Sequence, residues 1–384
     1  MNWNLVLKKH SAGTKLKKNK SITLVSNNYW TLYKFRYDVV NLFIKKGYIV
    51  NLIGKKDGFQ KKFTNKSINK YYIPISERGI NIFNEISTFL NLYKIYKKLK
   101  TDLIFHFTIK PNIYGSIISS IFNIKSIVFV TGFGHIFLKK KSFVKRLVIL
   151  MYKYAIKNST EVWFANEDDR EAFIQNKIIN KQKTRIVPGA WVIISKKQVE
   201  YIDIKPITFL MISRIQKAKG IIEFLNAAKD YKDNNQIRFI LIGSHNTDDL
   251  DAVEFDNIQS LVDKKIITYH NYQDDIESHL SSASCLIHPS YREGLSTVLV
   301  EAASFKKPII TTNAPGCIDV IPDETYGVLC QPQNSSSLKD AIKRFLSLTD
   351  QQKEKMVNKT YEYVKNNFDR NKILTVYRSS LEYI

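Results

Sequence analysis

His288-Pro289-Ser290-Tyr291-Arg292-Glu293-Gly294-Leu295-Ser296-Thr297-Val298-Leu299-Val300-Glu301-Ala302 is the stretch on which the reading of this chain turns. The apolar residues just before it, Cys285-Leu286-Ile287, predict a strand, and the polar turn runs straight into a predicted helix. One carboxylate, Glu293, sits in the turn; a second, Glu301, lies within the helix. A helix N-terminus presents unpaired backbone N–H groups with partial positive charge, which suits a diphosphate. At a rise of about 1.5 Å per residue, Glu301 falls roughly 7–8 Å beyond the opening turn at Ser296. A carboxylate there can grip ribose hydroxyls while phosphates stay at the helix end. The plain alternative is an amphipathic helix with a solvated Glu at each end.

Upstream, Ile207–Ile212 reads as a buried strand, followed by Ser213-Arg214-Ile215-Gln216-Lys217-Ala218-Lys219-Gly220 and a helix from about Ile221. This strand–Arg-x4-Lys-Gly–helix element, with the Glu293…Glu301 pair, resembles the donor site of retaining glycosyltransferases of family 4. The resemblance covers Ile207–Cys330 most specifically and the first half more loosely. It implies a GT-B fold: α/β, two Rossmann-like domains facing across a cleft, with the C-terminal helix crossing back to the first domain. It implies that Glu301 holds the donor ribose and that Glu293 supports the transferred sugar. Arg214 and Lys219 would neutralise the leaving diphosphate, whose growing charge needs preorganised cations. Gly294, Leu295, Ser296 and Thr297 would complete the donor cradle, and His288 either shapes it or packs. Thr311–Asp319 resembles the family's donor-side Gly-rich turn, though relatives often carry Glu where Asp319 stands.

Length agrees. A chain of 384 residues, 44% hydrophobic, suggests two domains each with a core. Apolar runs alternate with amphipathic stretches: Ile22–Ser26, Tyr48–Ile53, Leu103–Phe107, Ile127–Val130 and Val162–Ala165, then Ile207–Ile212, Ile237–Ile242, Ile266–Tyr269, Cys285–Ile287, Pro308–Thr311 and Val328–Cys330. Strands alternating with helices predict parallel sheets. The expected divisions are residues 1–190 for the acceptor domain, 191–366 for the donor domain and 367–384 for the returning helix, with the joint around Pro188–Pro206. Helices are expected at Gln351–Phe368 and Asn371–Tyr383.

The net charge of +24 is lopsided. Residues 1–190 hold 35 Lys and Arg against 10 Asp and Glu, whereas residues 191–384 hold 24 against 25. A basic acceptor lobe suits an anionic membrane surface or a polyprenyl-diphosphate lipid. Phe137–Tyr154 sets Phe143, Leu147, Leu150, Met151 and Tyr154 at helical spacing beside cations. That stripe either lies in the headgroup plane or is buried with its cations in water. The segment through Lys20 reads as a loose basic arm. No stretch reads as a membrane span, and Ile113–Leu138 is broken into a helix and a strand. Cys285, Cys317 and Cys330 lack metal or redox spacing. A cytoplasmic enzyme docked on the inner face of the membrane is expected.

Acceptor residues are sought after the first-half strands. Asn27 and Asn28 stand where many members of the family the chain resembles have a glycine-rich loop; asparagine tolerates positive φ, so a tight turn is allowed. Asn27, Trp30 and Arg36 are candidates to line the cleft. In Lys110-Pro111-Asn112, Lys110 is a candidate for an acceptor phosphate and Asn112 for a helix cap, while His106 reads as a core histidine. Thr131, Gly132 and His135 are further candidates. Asp249-Leu250-Asp251 lies in a polar, helical-looking stretch, so no metal site and no cofactor are expected. The whole resembles bacterial transferases of surface-polysaccharide assembly that add N-acetylgalactosamine to undecaprenyl-diphosphate sugars. It implies transfer of a hexose or N-acetylhexosamine from a UDP-sugar to a polyprenyl-diphosphate-linked saccharide. A UDP-sugar 2-epimerase on the same scaffold leaves the basic lobe without a role. A nucleic-acid-binding protein leaves the glutamate pair without one, and no nucleic-acid motif accompanies the charge.

Overall fold

The computed structural model describes residues 20–75, 81–132, 143–193, 201, 204–247, 249 and 251–384. Seven strands form a first parallel sheet: β1 (Ser21–Asn28), β2 (Ile49–Lys55), β3 (Ile68–Tyr72), β4 (Leu103–Phe107), β5 (Lys125–Val130), β6 (Glu161–Phe164) and β7 (Thr184–Ile186). Their order is β3-β2-β1-β4-β5-β6-β7. Six more, β8 (Ile207–Ile212), β9 (Ile237–Ile242), β10 (Thr268–His270), β11 (Cys285–His288), β12 (Ile309–Thr312) and β13 (Val328–Cys330), form a second parallel sheet in the order β10-β9-β8-β11-β12-β13. The central strands are buried on both faces, with six successive buried residues in β1, five in β4 and four in β11, and Leu24 sits opposite Leu52 and Phe105, Leu210 opposite Ile240 and Leu286. Such runs need helices on both sides.

The first sheet is covered by α1 (Tyr29–Lys45), α2 (Ile82–Lys98), α3 (Ser116–Ile121), α4 (Phe143–Ala155) and α5 (Glu167–Gln175). The second carries α6 (Ile221–Lys229), α7 (Phe255–Asp263), α8 (Ile276–Ser282), α9 (Thr297–Ser304), α10 (Ser335–Ser347) and α11 (Asp350–Asn367). The last helix, α12 (Arg370–Ser379), crosses back. Its Ile373 and Tyr377 join the first domain's core, and Tyr377 packs edge-on against Trp163 and Trp191. The outgoing and returning strands of chain run side by side: Val192 N–H donates to Phe368 O and Arg370 N–H to Val192 O. This is the expected GT-B arrangement.

Two strands escaped the sequence reading. β3 and β7 are edge strands with the polar sequences Ile-Asn-Lys-Tyr-Tyr and Thr-Arg-Ile, which lack an apolar run. Asn112 does not cap a helix. It is buried in a π-helical turn (Pro111–Gly115), where its amide donates to Phe129 O and Tyr152 Oη. Asp249 and Asp251 are in a loop rather than a helix; Asp249 bonds Gln216, and Asp251 accepts from Ala218 N–H. His106 is the core residue expected. It bonds Tyr96 Oη and Ser116 Oγ, and burial pushes its pKa down to about 3.

The α4 stripe divides. Leu147, Leu150 and Tyr154 point to solvent, Tyr154 being 75% exposed, while Val148, Ile149, Met151, Tyr152 and Ala155 meet the core. On α2, Ile82, Phe83, Ile86 and Leu90 are also exposed, with Phe83 at 81%. No helix among the described residues is long and apolar enough to cross a membrane. Lys20 is the one residue of the basic arm that is described, and its ammonium donates to Ile384 O; the arm's other residues lie outside the described ones.

Candidate functional site

In an open parallel sheet, the loops after neighbouring strands part where the strand order reverses, leaving a crevice at the strand C-terminal ends. Here the reversals fall between β1 and β4 in one sheet and between β8 and β11 in the other. The start of α1 directly after β1 and the loops after β8 and β11 contribute to one cleft of about 740 Å3. From the second domain come Arg214, Lys219, His288, Glu293, Leu295, Ser296, Thr297 and Glu301; from the first come Trp30, Lys34 and Phe35.

Glu293 is the most tightly held group. Its Oε1 lies 2.6 Å from Lys219 Nζ and 3.0 Å from His288 Nε2. Burial alone would raise its pKa, but the Lys219 ammonium and the His288 contact overturn this and hold it far below the carboxylate range. Its backbone is fixed as well: Glu293 N–H donates to Pro315 O, and Ser296 N–H to Gly316 O. Gly316 has φ 80, and a Cβ there would lie 2.4 Å from Glu293 O, so only glycine brings this turn so close. The Thr311–Asp319 turn thus shapes the glutamate loop from behind. Asp319 closes it by accepting from Gly316 N–H, and burial raises its pKa to about 6.

Glu301 is the opposite case. It has no ion pair within 4 Å among the described salt bridges, and burial lifts its pKa to about 7, against a lowering by Lys34 and a further raising by Glu277. Ser296 is the N-cap of α9, and its buried hydroxyl finds no hydrogen-bond partner among the described residues. A helix N-terminus, two cations and a protonatable carboxylate therefore share one wall.

Two family models match the chain: "Glycosyl transferases group 1" over residues 193–363 and "Glycosyl transferase 4-like" over residues 21–166. A galactosyltransferase of Escherichia coli, named as acting on α-D-GlcNAc-diphosphoundecaprenol, is 24% identical over 77% of this chain and 79% of its own length. An α-1,3-N-acetylgalactosaminyltransferase of Campylobacter jejuni, named for N,N'-diacetylbacillosaminyl-diphospho-undecaprenol, is 25% identical over 82% and 86%. Among solved structures, WaaG, a glycosyltransferase of lipopolysaccharide biosynthesis, superposes with a TM-score of 0.71 at 13% identity, covering 94% of this chain and 98% of its own. HepE of Anabaena with UDP and glucose gives 0.71 at 17%, covering 95% and 100%. The chain is a GT-B glycosyltransferase of the family 4 type.

Not every candidate residue of this transferase reaches the cleft. Arg36 is turned into the core, where its guanidinium donates to Phe35 O and Gly189 O and stacks over Phe107 and Phe129. Lys110 pairs with Glu85, which also accepts from Tyr114 Oη. Asn27 Oδ1 accepts from Thr108 Oγ1, and the positive φ allowed for the asparagines occurs at Thr108 (φ 71) instead. Asn28 is extended (φ −149) and caps α1 by accepting from Thr31 N–H. Gly294, Thr131 and Gly132 lie together where the domains touch and do not line the cleft: a Cβ on Gly294 would fall 1.7 Å from Thr131 O. His135 lies outside the described residues.

The sequence reading missed Lys34, Tyr272 and Asp274. Lys34 Nζ crosses from α1 to Asp274 Oδ1 at 3.3 Å, and Tyr272 Oη donates to the same oxygen. A lysine four residues after Trp30 on a helix face was the available signal. Its partner, 240 residues away, left none.

Proposed function

We propose that the cleft binds a UDP-sugar and that the enzyme transfers its hexose or N-acetylhexosamine, with retention, to a polyprenyl-diphosphate-linked saccharide in surface-polysaccharide assembly. The observation that carries this reading is the wall formed by Arg214, Lys219, the α9 N-terminus and Glu301. Cations and backbone N–H groups suit the diphosphate, and Glu301 suits the ribose hydroxyls. Glu293, ionised and clamped, would stabilise the positive charge developing on the transferred sugar. Retention then follows if the acceptor hydroxyl attacks from the leaving-group face, with the departing phosphate oxygen accepting its proton. The sugar–phosphate bond breaks, the new glycosidic bond forms on the same face, and UDP leaves protonated. No protein base and no metal are part of this reading.

The names of the relatives support an undecaprenyl-diphosphate acceptor. The basic first lobe supports its docking on an anionic membrane at the cytoplasmic face, through the exposed apolar residues of α4 and α2. The test is to incubate the purified enzyme with a panel of nucleotide sugars and a lipid-diphosphate disaccharide, identify the product by mass and read the new anomeric centre by NMR. An inverted anomer would overturn retention, and no product with any UDP-sugar would overturn the donor.

A further inference from the structure

Glu293 is clamped by its own domain, but the residues on either side of it are held by the other one. Arg292 reaches the fully buried Asp169 of the first domain at 2.5 Å. Gly294 O accepts from Asn166 Nδ2 at 2.5 Å. Asn166 is the N-cap of α5: its Oδ1 accepts from Asp169 N–H at 2.7 Å, and its amide also donates to Asp169 Oδ2 at 3.1 Å. One helix start therefore organises both contacts, and Thr131–Gly132 closes over Gly294 from the same side. Asp169 and Arg292 would lose each other if the domains swung apart, and a carboxylate so buried is stable only when paired. The second domain's own hydrogen bonds, Tyr291 N–H to Ala218 O and Glu293 N–H to Pro315 O, hold this loop from one side; the Arg292 side chain and Gly294 O gain their cross-domain partners only while the domains are together.

We infer that Asn166 and Asp169 are positioning residues that couple closure of the two domains to the pose of Glu293. The role given to Glu293 rests on the transferase reading; the latch itself does not. Neither residue lines the cleft that holds Arg214 and Glu301. Loosening the latch should therefore leave donor affinity in place and lower turnover, since a misplacement of about 1 Å can cost on the order of 100-fold.

The experiment compares wild type with Asp169→Asn, Arg292→Gln, their double variant and Asn166→Ser. The last keeps a capping oxygen and loses the amide donor, so α5 survives if the charge variants fold poorly. The native cysteines are all buried. Lys66→Cys and Glu354→Cys, both exposed and one in each domain, can therefore carry dyes for single-molecule energy transfer. Expected are a broadened inter-dye distance in the variants, a fall in kcat of roughly 10- to 100-fold and a UDP dissociation constant within about threefold of wild type. The double variant should lose no more than the worse single one, as residues acting as a unit do. Unchanged distances and kcat would overturn the inference, as would losses that multiply in the double variant. If wild type itself turns over no donor, the transferase reading fails, and the distance distributions still decide the latch.

Discussion

Two glutamates eight residues apart sit in opposite electrostatic states, and each state carries a prediction. Glu301, with a pKa of about 7, is half protonated near neutrality. Ribose hydroxyls donate to a carboxylate, so donor binding should strengthen as pH rises through about 7. Binding at pH 6 should release up to one proton, measurable by calorimetry in buffers of different ionisation enthalpy; no buffer dependence would sink the ribose assignment. In the free protein the sign is reversed. A carboxyl whose folded pKa lies above its unfolded value costs stability as pH climbs from about 4 to 7, here about 3 kcal/mol. Glu301→Gln should therefore match wild type at pH 4 and exceed it in thermal stability at pH 8. The other set of variants separates binding from turnover. Glu301→Ala should raise the donor dissociation constant, whereas Glu293→Ala should mainly lower kcat, by on the order of 100-fold. Arg214→Ala combined with Lys219→Ala should abolish transfer. Because Lys219 is the ammonium on Glu293, that pair should also cost about 2 kcal/mol of stability. Full activity in both single glutamate variants would displace the site.

At the scale of elements, the legible features were those encoded by local apolar runs. The strands β1, β4, β8, β9 and β11 each carry a local apolar run and were readable from it. Edge strands need only half that pattern, which hid β3 and β7. The glutamate side of the cleft was readable for the same reason: strand, turn, helix start and both glutamates lie in one continuous stretch. Lys34, Asn166 and Asp169 were not, because their partners are set by how two sheets face each other. Asn166 followed by Glu167, Asp168 and Asp169 marks a helix start and says nothing of what that start touches. Helix α4 presents the clearest prediction here. Its outward Leu147, Leu150 and Tyr154 lie beside Arg146 and Lys153, all exposed. Changing Leu147 and Leu150 to Glu should reduce cosedimentation with anionic vesicles at least tenfold without moving the thermal midpoint, as neither packs in the core. Equal binding by the double variant would assign docking to another surface, with α2 the next to test.

At the scale of the whole molecule, the chain's last helix belongs to its first domain. Tyr377 is fully buried among Phe105, Trp163 and Trp191, so the first core is completed only after the second domain has been traversed. The charge asymmetry runs the same way along the sequence: residues 1–190 carry the excess of cations, and the core of the first sheet is closed by a helix from the far end of the chain. Tyr377→Ala should open a cavity in that aromatic cluster and cost about 3–5 kcal/mol. The loss should appear in the first domain, though the substituted residue follows the second. The sequence supplies the probe: all four tryptophans, Trp3, Trp30, Trp163 and Trp191, precede the second sheet. Tryptophan emission in a urea titration therefore reports the first domain, while circular dichroism reports both. The expected result is an emission midpoint at clearly lower urea in Tyr377→Ala, with part of the dichroism transition left at its original position. An unmoved emission midpoint would mean that α12 rests on the first domain without supporting it.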